Sequence, residues 1–175
     1  MDLLDFSGEP MYFDEPVSPQ VEQLLAEAAH DYGEPDAECA LLRAYFLEPQ
    51  HLTVLVALYR YFYYQHRYAD ALLTAERAIT VAAQRLKLPL DWRTLTEADL
   101  NAAAQVSMPL TRFVLFALKG ASYLLLRLGD APAALERLDR LVALDTHDRL
   151  GVLELQQVAH AATAHSTGDD PHDDD

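Results

Sequence analysis

The 34 residues from Pro49 to Ala82, PQHLTVLVALYRYFYYQHRYADALLTAERAITVA, constrain the fold more than any other stretch. Two apolar periodicities lie end to end in it. Leu52, Leu55, Leu58, Tyr59 and Phe62 recur at helical spacing, and Ala71, Ala75 and Ala78 form a small-residue stripe flanked by Leu72 and Ile79. The first pattern predicts an amphipathic helix, and the second predicts a helix that a neighbour can approach closely. The break falls at Gln65-His66-Arg67, so the two pair as an antiparallel hairpin. A hairpin this short cannot bury both of its faces alone and requires like units stacked on it.

Such units are present. Ala37 precedes Ala71 by 34 residues, and Leu41 and Ala75, Ala44 and Ala78, and Leu47 and Val81 keep the same offset. A third copy, LKGASYLLLRLGDAPAALERLDRLVALD, covers 118–145; its Ala134 lies 63 residues after Ala71, one period plus an insertion of 29 residues at about 83–111. Helix boundaries follow from local chemistry. Ser18-Pro19 supplies an N-cap and a first-turn proline, with Gly33 as a stop. Glu34-Pro35-Asp36 opens a second helix to about Leu47, with Ala37, Ala40, Leu41, Ala44 and Tyr45 inward and Glu48-Pro49 as its end. Cys39 is expected on the buried side of this helix. The insertion lengthens the next helix through AQRLKL, turns at 88–92, and starts a short helix near Thr96, where Thr96 and Asp99 resemble a capping box. Trp92 is expected to pin the insertion to the body. Met108-Pro109 opens a long helix to about Leu128, Gly129-Asp130 makes a tight turn, Pro132 starts the partner helix, and a last helix runs from about His147 to Ala164.

The expected architecture is all-α, about seven to nine helices in one domain over 18–164. Residues 1–17 read as an extended acidic and aromatic arm, packed on the body or lying in the protein's own groove; 165–175 reads as a solvated acidic tail.

A 34-residue helix-turn-helix period resembles the tetratricopeptide repeat. In the second copy Pro49, Leu55, Leu58, Phe62, Tyr68, Ala71, Ala75 and Ala78 stand at that family's packing positions. Leu118, Ala121, Ser122, Leu125, Gly129, Ala134 and Leu138 do so in the third, and Ala37, Ala44 and Pro49 in the first. The departures are Tyr59 for a small residue, His66 for the turn glycine, Leu141 for the last alanine and Thr146 for the closing proline. The resemblance covers about 34–145. It implies a right-handed superhelix that binds a protein segment on its concave face, which here would be lined by Thr53, Val56, Arg60 and Tyr63 and by Phe116, Lys119, Tyr123 and Leu126. Tyr64 falls on the same side. Arg60 and Lys119 would hold a carboxylate, and the tyrosines would supply amphipathic contact area. The asparagines of the family's carboxylate clamp are missing: the chain has only Asn101, in the insertion. The block LLRAYFLEPQHLTVLVALYRYFYYQHR, with FALKGASYLLLRLGD, also resembles small tetratricopeptide proteins encoded among bacterial nitrogen-fixation genes. That likeness implies an accessory role in nitrogenase assembly or protection, with a nitrogenase-related partner.

Charge narrows the partner class. The net charge is −15, yet residues 1–42 hold eleven acids and no Lys or Arg, the last ten hold five acids, and the remainder is nearly balanced. This distribution argues against nucleic acid and against anionic membranes. The most apolar run, Phe113 to Leu126, is broken by Lys119 and reads as too short to span a bilayer. One cysteine excludes an internal disulfide and a cysteine-based zinc site, and the N-terminus lacks a signal-peptide pattern, so a cytoplasmic location is expected. The seven histidines have no metal-ligand spacing, and no nucleophile elbow, phosphate loop or dinucleotide fingerprint occurs. No catalytic residue, metal or cofactor is therefore expected. Tyr59-Arg60-Tyr61-Phe62-Tyr63-Tyr64 covers every face of its helix, so it is both core and candidate contact patch. Two functions remain: an adaptor or chaperone holding one partner protein, or a self-associating module dimerising through Tyr61, Trp92 or the last helix (Leu150, Leu153, Leu155 and Val158).

Overall fold

The computed structural model describes residues 15–166. Among them are eight α-helices and one 3₁₀ turn: α1 (Pro19–His30), α2 (Pro35–Leu47), α3 (Leu52–Tyr64), α4 (Tyr68–Leu86), the turn Trp92–Thr94, α5 (Glu97–Val106), α6 (Met108–Arg127), α7 (Ala131–Leu144) and α8 (Leu153–Ser166). The expected arm over 1–17 lies, for residues 1–14, outside the described residues, as does the tail beyond 166. Helices α1 and α2, α3 and α4, and α6 and α7 pack as pairs. Between pairs α2 meets α3, α4 meets α6, and α7 meets α8, while α5 rests on α6.

The starts and stops have identifiable causes. The Ser18, Thr96, Ser107 and Asp130 side chains accept hydrogen bonds from first-turn amides of α1, α5, α6 and α7. Thr96 and Asp99 complete a reciprocal capping box. Prolines stand in the first turns of α1, α2, α6 and α7. At the start of α1 the Ser18 amide donates to the Glu48 carboxylate at 3.0 Å. The Ser18 hydroxyl and amide hold that carboxyl below the usual carboxylate range.

The copies correspond in conformation as well as in sequence. Ala37, Ala71 and Ala134, at equivalent positions of α2, α4 and α7, are each 0% exposed. His66 and Gly129, equivalent turn positions, both take positive φ (57° and 85°). The amide after each closes the preceding helix in the same way, Arg67 onto the Phe62 carbonyl and Asp130 onto the Leu125 carbonyl, both at 2.9 Å. These are left-handed C-terminal caps, in which glycine is the favoured residue and histidine is strained.

Arg67 ties the α2–α4 junction: it pairs with Glu38 at 2.7 Å and Asp70 at 2.8 Å, its guanidinium lying 4.5 Å from the centre of the Phe62 ring. The insertion is fastened to α7 and, through Arg137, linked to α4. Trp92 lies between Arg93 (4.4 Å) and Arg137 (5.1 Å); Arg93 forks onto Glu136, and Arg137 pairs with Glu76 at 2.7 Å. Arg140 donates to the Leu95 carbonyl, and Leu88, Leu95 and Ala103 are buried.

Four expectations are corrected. Cys39 is exposed, because the buried stripe of α2 is Ala37, Ala40, Leu41 and Ala44, and position 39 falls outside it. The last helix begins at Leu153, not near His147: Asp148 and Gly151 take positive φ, and the carboxylates of Asp145 and Asp148 accept the Leu150 and Val152 amides in a compact turn. Helix α6 has 20 residues and is long and apolar enough to cross a membrane by length and composition. In this fold it is packed against α4, α5 and α7, with Phe113, Val114, Ala117, Leu118, Ala121 and Leu124 buried. Tyr61 is buried, its ring edge-on to Tyr32 at 6.2 Å, so it presents no free dimer surface.

The buried alanines of α4 set how closely its neighbours approach. Ala75→Leu is expected to lower unfolding free energy by about 1–3 kcal/mol through overpacking. Ala69→Leu, on the exposed side of the same helix, should change it by less than about 0.5 kcal/mol. Urea unfolding of the two variants measures the difference.

Candidate functional site

Where α3, the start of α4 and α6 meet, the second and third copies bring their aromatic residues together. Tyr59 and Tyr63, one turn apart on α3, stack with ring centres 5.9 Å apart. Tyr63 also meets Tyr64 at 5.3 Å, Tyr68 at 6.2 Å and, across the junction with α6, Tyr123 at 6.3 Å. Arg127 closes the cluster: it donates to the Tyr123 hydroxyl at 2.9 Å and lies 4.5 Å over the Tyr68 ring. His66 Nδ1 is 2.9 Å from the Tyr68 hydroxyl. Rings in edge and tilted contacts of this kind add modestly to the area they bury.

The electrostatics are those of a neutral, hydrogen-bonding surface. Burial, then the hydrogen bond with Tyr123 and the neighbouring phenols, push the Tyr63 pKa up to about 12. The Tyr123 hydroxyl likewise raises the Arg127 guanidinium above its ordinary value. The Tyr63 phenol therefore stays protonated at neutral pH and the Arg127 guanidinium stays charged. Together they offer ring faces, hydroxyl donors and acceptors, and one cation. Among the described residues no group of three or more His, Cys, Asp or Glu gathers to hold a metal.

Two clefts open on the described surface, the first of them reaching the cluster at Tyr64. One, of about 480 Å³ between α1 and α3, is lined by Leu25, Tyr32, Ala57, Arg60 and Tyr64. The other, of about 560 Å³, lies where α5, α6 and the α7–α8 connection meet, and Arg112, Phe116, Arg149 and Leu150 line it.

Of the residues expected on this face, Tyr63, Tyr64 and Tyr123 come together; Tyr64 is 47% exposed and Arg60 is exposed beside it. Thr53, Phe116 and Leu126 are partly buried, the last two against the core, and Val56 is in the core itself. Lys119 requires correction. It is 6% exposed and donates from Nζ to the Leu150 carbonyl at 2.5 Å, under the connection to α8, so it cannot receive a partner's carboxylate. Arg127, Tyr32 and Arg112 are the groups that sequence reasoning missed. Arg127 had a signal, since it follows Tyr123 by four residues on one helical face. Tyr32 and Arg112 had none, because their places depend on how separate helices pack. On α8, Leu153 and Val158 are exposed and Leu155 is partly buried, while Leu150, in the connection before it, is buried.

Over 158 residues the chain is 46% identical to an uncharacterized 19.8 kDa protein in the nifW 5′ region of Azotobacter chroococcum mcd 1, a match covering 90% of this chain and 88% of that protein. The two belong to one family. A match of that length takes in all three hairpins and the insertion. No protein-family model matches the chain, and no solved structure matches it.

Burial lowers the Lys119 pKa below the ordinary lysine value, against the opposing pull of Asp148 and Glu154. Between the folded and unfolded values the unfolded chain binds more protons, so this group's contribution to stability rises with pH. The melting temperature of the natural chain minus that of Lys119→Met should accordingly become more positive from pH 7 toward about pH 10. A difference that stays flat contradicts the burial of the charge.

Proposed function

We propose that this chain is a non-enzymatic protein-interaction module built of three tetratricopeptide-like hairpins in a right-handed superhelix. In this reading it is a cytoplasmic adaptor or chaperone-like accessory factor, holding a partner protein against the face formed by α1, α3 and α6. The 34-spaced alanines, all buried, and the order in which the pairs pack support the repeat reading. The observation that carries the functional reading is the Tyr63–Tyr123 contact across two copies, with a cleft lined by Arg60 and Tyr64 beside it. Tyrosine and arginine, with tryptophan, are enriched where few side chains dominate binding. The relative's location in the nifW 5′ region supports nitrogen fixation as the setting, and a nitrogenase-related protein, bound during assembly or protection of the enzyme, as the partner.

A second reading, self-association, is favoured by one observation: Leu153 and Val158 are exposed on α8, the last helix of the stack. Sedimentation of the pure protein separates the two, since a monomer at micromolar concentration removes the dimer.

The groove reading is tested with the full chain as bait in extract from nitrogen-fixing cells. Arg60→Glu with Tyr64→Ala alters two exposed side chains and should weaken recovery of a stoichiometric partner about tenfold or more, equivalent to about 1.4 kcal/mol. Undiminished recovery by a variant with an unaltered melting curve contradicts the proposed face.

A further inference from the structure

Helices α3 and α6 differ in charge from the rest of the body. The 13 residues of α3 and the 20 of α6 contain Arg60, Arg112, Lys119 and Arg127 and no Asp or Glu. Each of the other six described helices carries at least one carboxylate. In a chain with 28 acids against 13 Lys and Arg, this is a segregation of charge onto one face. The cleft between α1 and α3 continues it, since Arg60 lines that cleft and no acidic residue does. Two of the four cations contribute little outward charge. Lys119 is buried under the Leu150 carbonyl, and Arg112 shares its cleft with Glu97 and Asp145. Among the described residues, the acid-free part of the face is therefore the end where Arg60, Arg127 and the tyrosines lie.

Arg127 stands apart from the other arginines. Arg85, Arg93 and Arg137 are held by Glu15, Glu136 and Glu76. On the α2–α4 side, where Phe46 and Leu73 are exposed, Arg67 is held by both Glu38 and Asp70. Among the described residues no carboxylate pairs with Arg127. It is exposed, and its partners are the Tyr123 hydroxyl and the faces of the Tyr68 and Tyr123 rings. Asp130, three residues on, is turned to the Ala133 amide. Nor is Arg127 needed to close its helix: the Leu124, Leu125 and Leu126 carbonyls accept from the amides of Leu128, Gly129 and Asp130. A guanidinium carries five N–H donors in a planar fork suited to a carboxylate. One hydroxyl leaves most of that fork open, and the rings hold it in place.

We propose that the partner segment bound on this face is acidic, an extended stretch in which carboxylates alternate with apolar side chains. One carboxylate seats on Arg127 and another on Arg60, and the apolar residue between them lies on the rings of Tyr63 and Tyr64. This rests on the binding face proposed above and adds the chemistry of what it binds. The net charge of −15 disfavours an acidic ligand at a distance. Physiological salt screens that field beyond about 8 Å, so the groups in contact decide.

The test uses the full chain and two fluorophore-labelled twelve-residue peptides, one alternating Glu with Leu and Phe and the other with Gln in place of Glu. Fluorescence anisotropy at physiological salt should show the Glu peptide binding about fivefold tighter or more, although the protein is itself acidic. Arg127→Gln should reduce that preference, and Arg60→Gln with Arg127→Gln should remove it while the melting curve stays unaltered. Equal or weaker binding of the Glu peptide overturns the proposal, as does a preference that survives in the double variant. Failure of both peptides to bind overturns it too. If Arg60→Glu with Tyr64→Ala still loses the captured partner in any of these cases, the face stands and only its acidic ligand is wrong.

Discussion

Close approach of α4 to two helices at once is the constraint on which the rest of the structure depends. Helix α4 packs on α3 within its own hairpin and on α6 across the insertion. It does so with Ala71, Ala75, Ala78, Ala82 and Ala83, all buried, while α6 contributes Ala117, Gly120 and Ala121. Small side chains leave little volume between two backbones, so the helices draw near enough for larger neighbours such as Phe113 and Leu118 to fill the remaining space. A chain of helices related only by loops would not hold the third copy in register with the second. The insertion does not interrupt this packing because it leaves the stack after α4 and returns at the start of α6. Its own residues are fastened outside, by Trp92 between two arginines and by the fork of Arg93 onto Glu136.

The tyrosine cluster is a consequence of that junction. Tyr63 and Tyr123 sit on different copies and meet only because α3 and α6 are brought together through α4. Tyr68, the first residue of α4, joins them because the turn before it is closed by a left-handed His66. His66 in turn contacts the Tyr68 hydroxyl through its Nδ1. In this surface each ring touches at least one other and the cation of Arg127 caps the set. Preorganised aromatic area of this kind binds with little loss of side-chain freedom.

Much of the fold was legible because the chain states it locally. Serine, threonine and proline mark helix starts, positive-φ turns fall at the repeat's own positions, and alanine at fixed offsets marks the buried seam. Two of the misreadings have a different cause, in that they depend on what covers a residue rather than on the residue's helix. Lys119 has the phase of a groove residue but lies under the α7–α8 connection, whose path is set by Asp145 and Asp148 accepting backbone amides. Tyr61 is covered by Tyr32, which belongs to the end of another hairpin. Cys39 was misplaced by one helical step, as happens when an alanine-rich helix offers several candidate stripes. In the candidate site, the tyrosines on α3 and α6 were readable by period, and their union with Arg127 and His66 was not.

In the proposed mode of binding the partner lies against α1, α3 and α6, and the α2–α4 side is left out of that contact. Side-chain oxidation by hydroxyl radicals, read residue by residue with and without the captured partner, tests this most directly. The account predicts that Tyr64, Tyr32 and Tyr123 become less reactive on binding while Phe46 and Leu73 do not change. Protection of Phe46 and Leu73 with the tyrosines unaltered would contradict it.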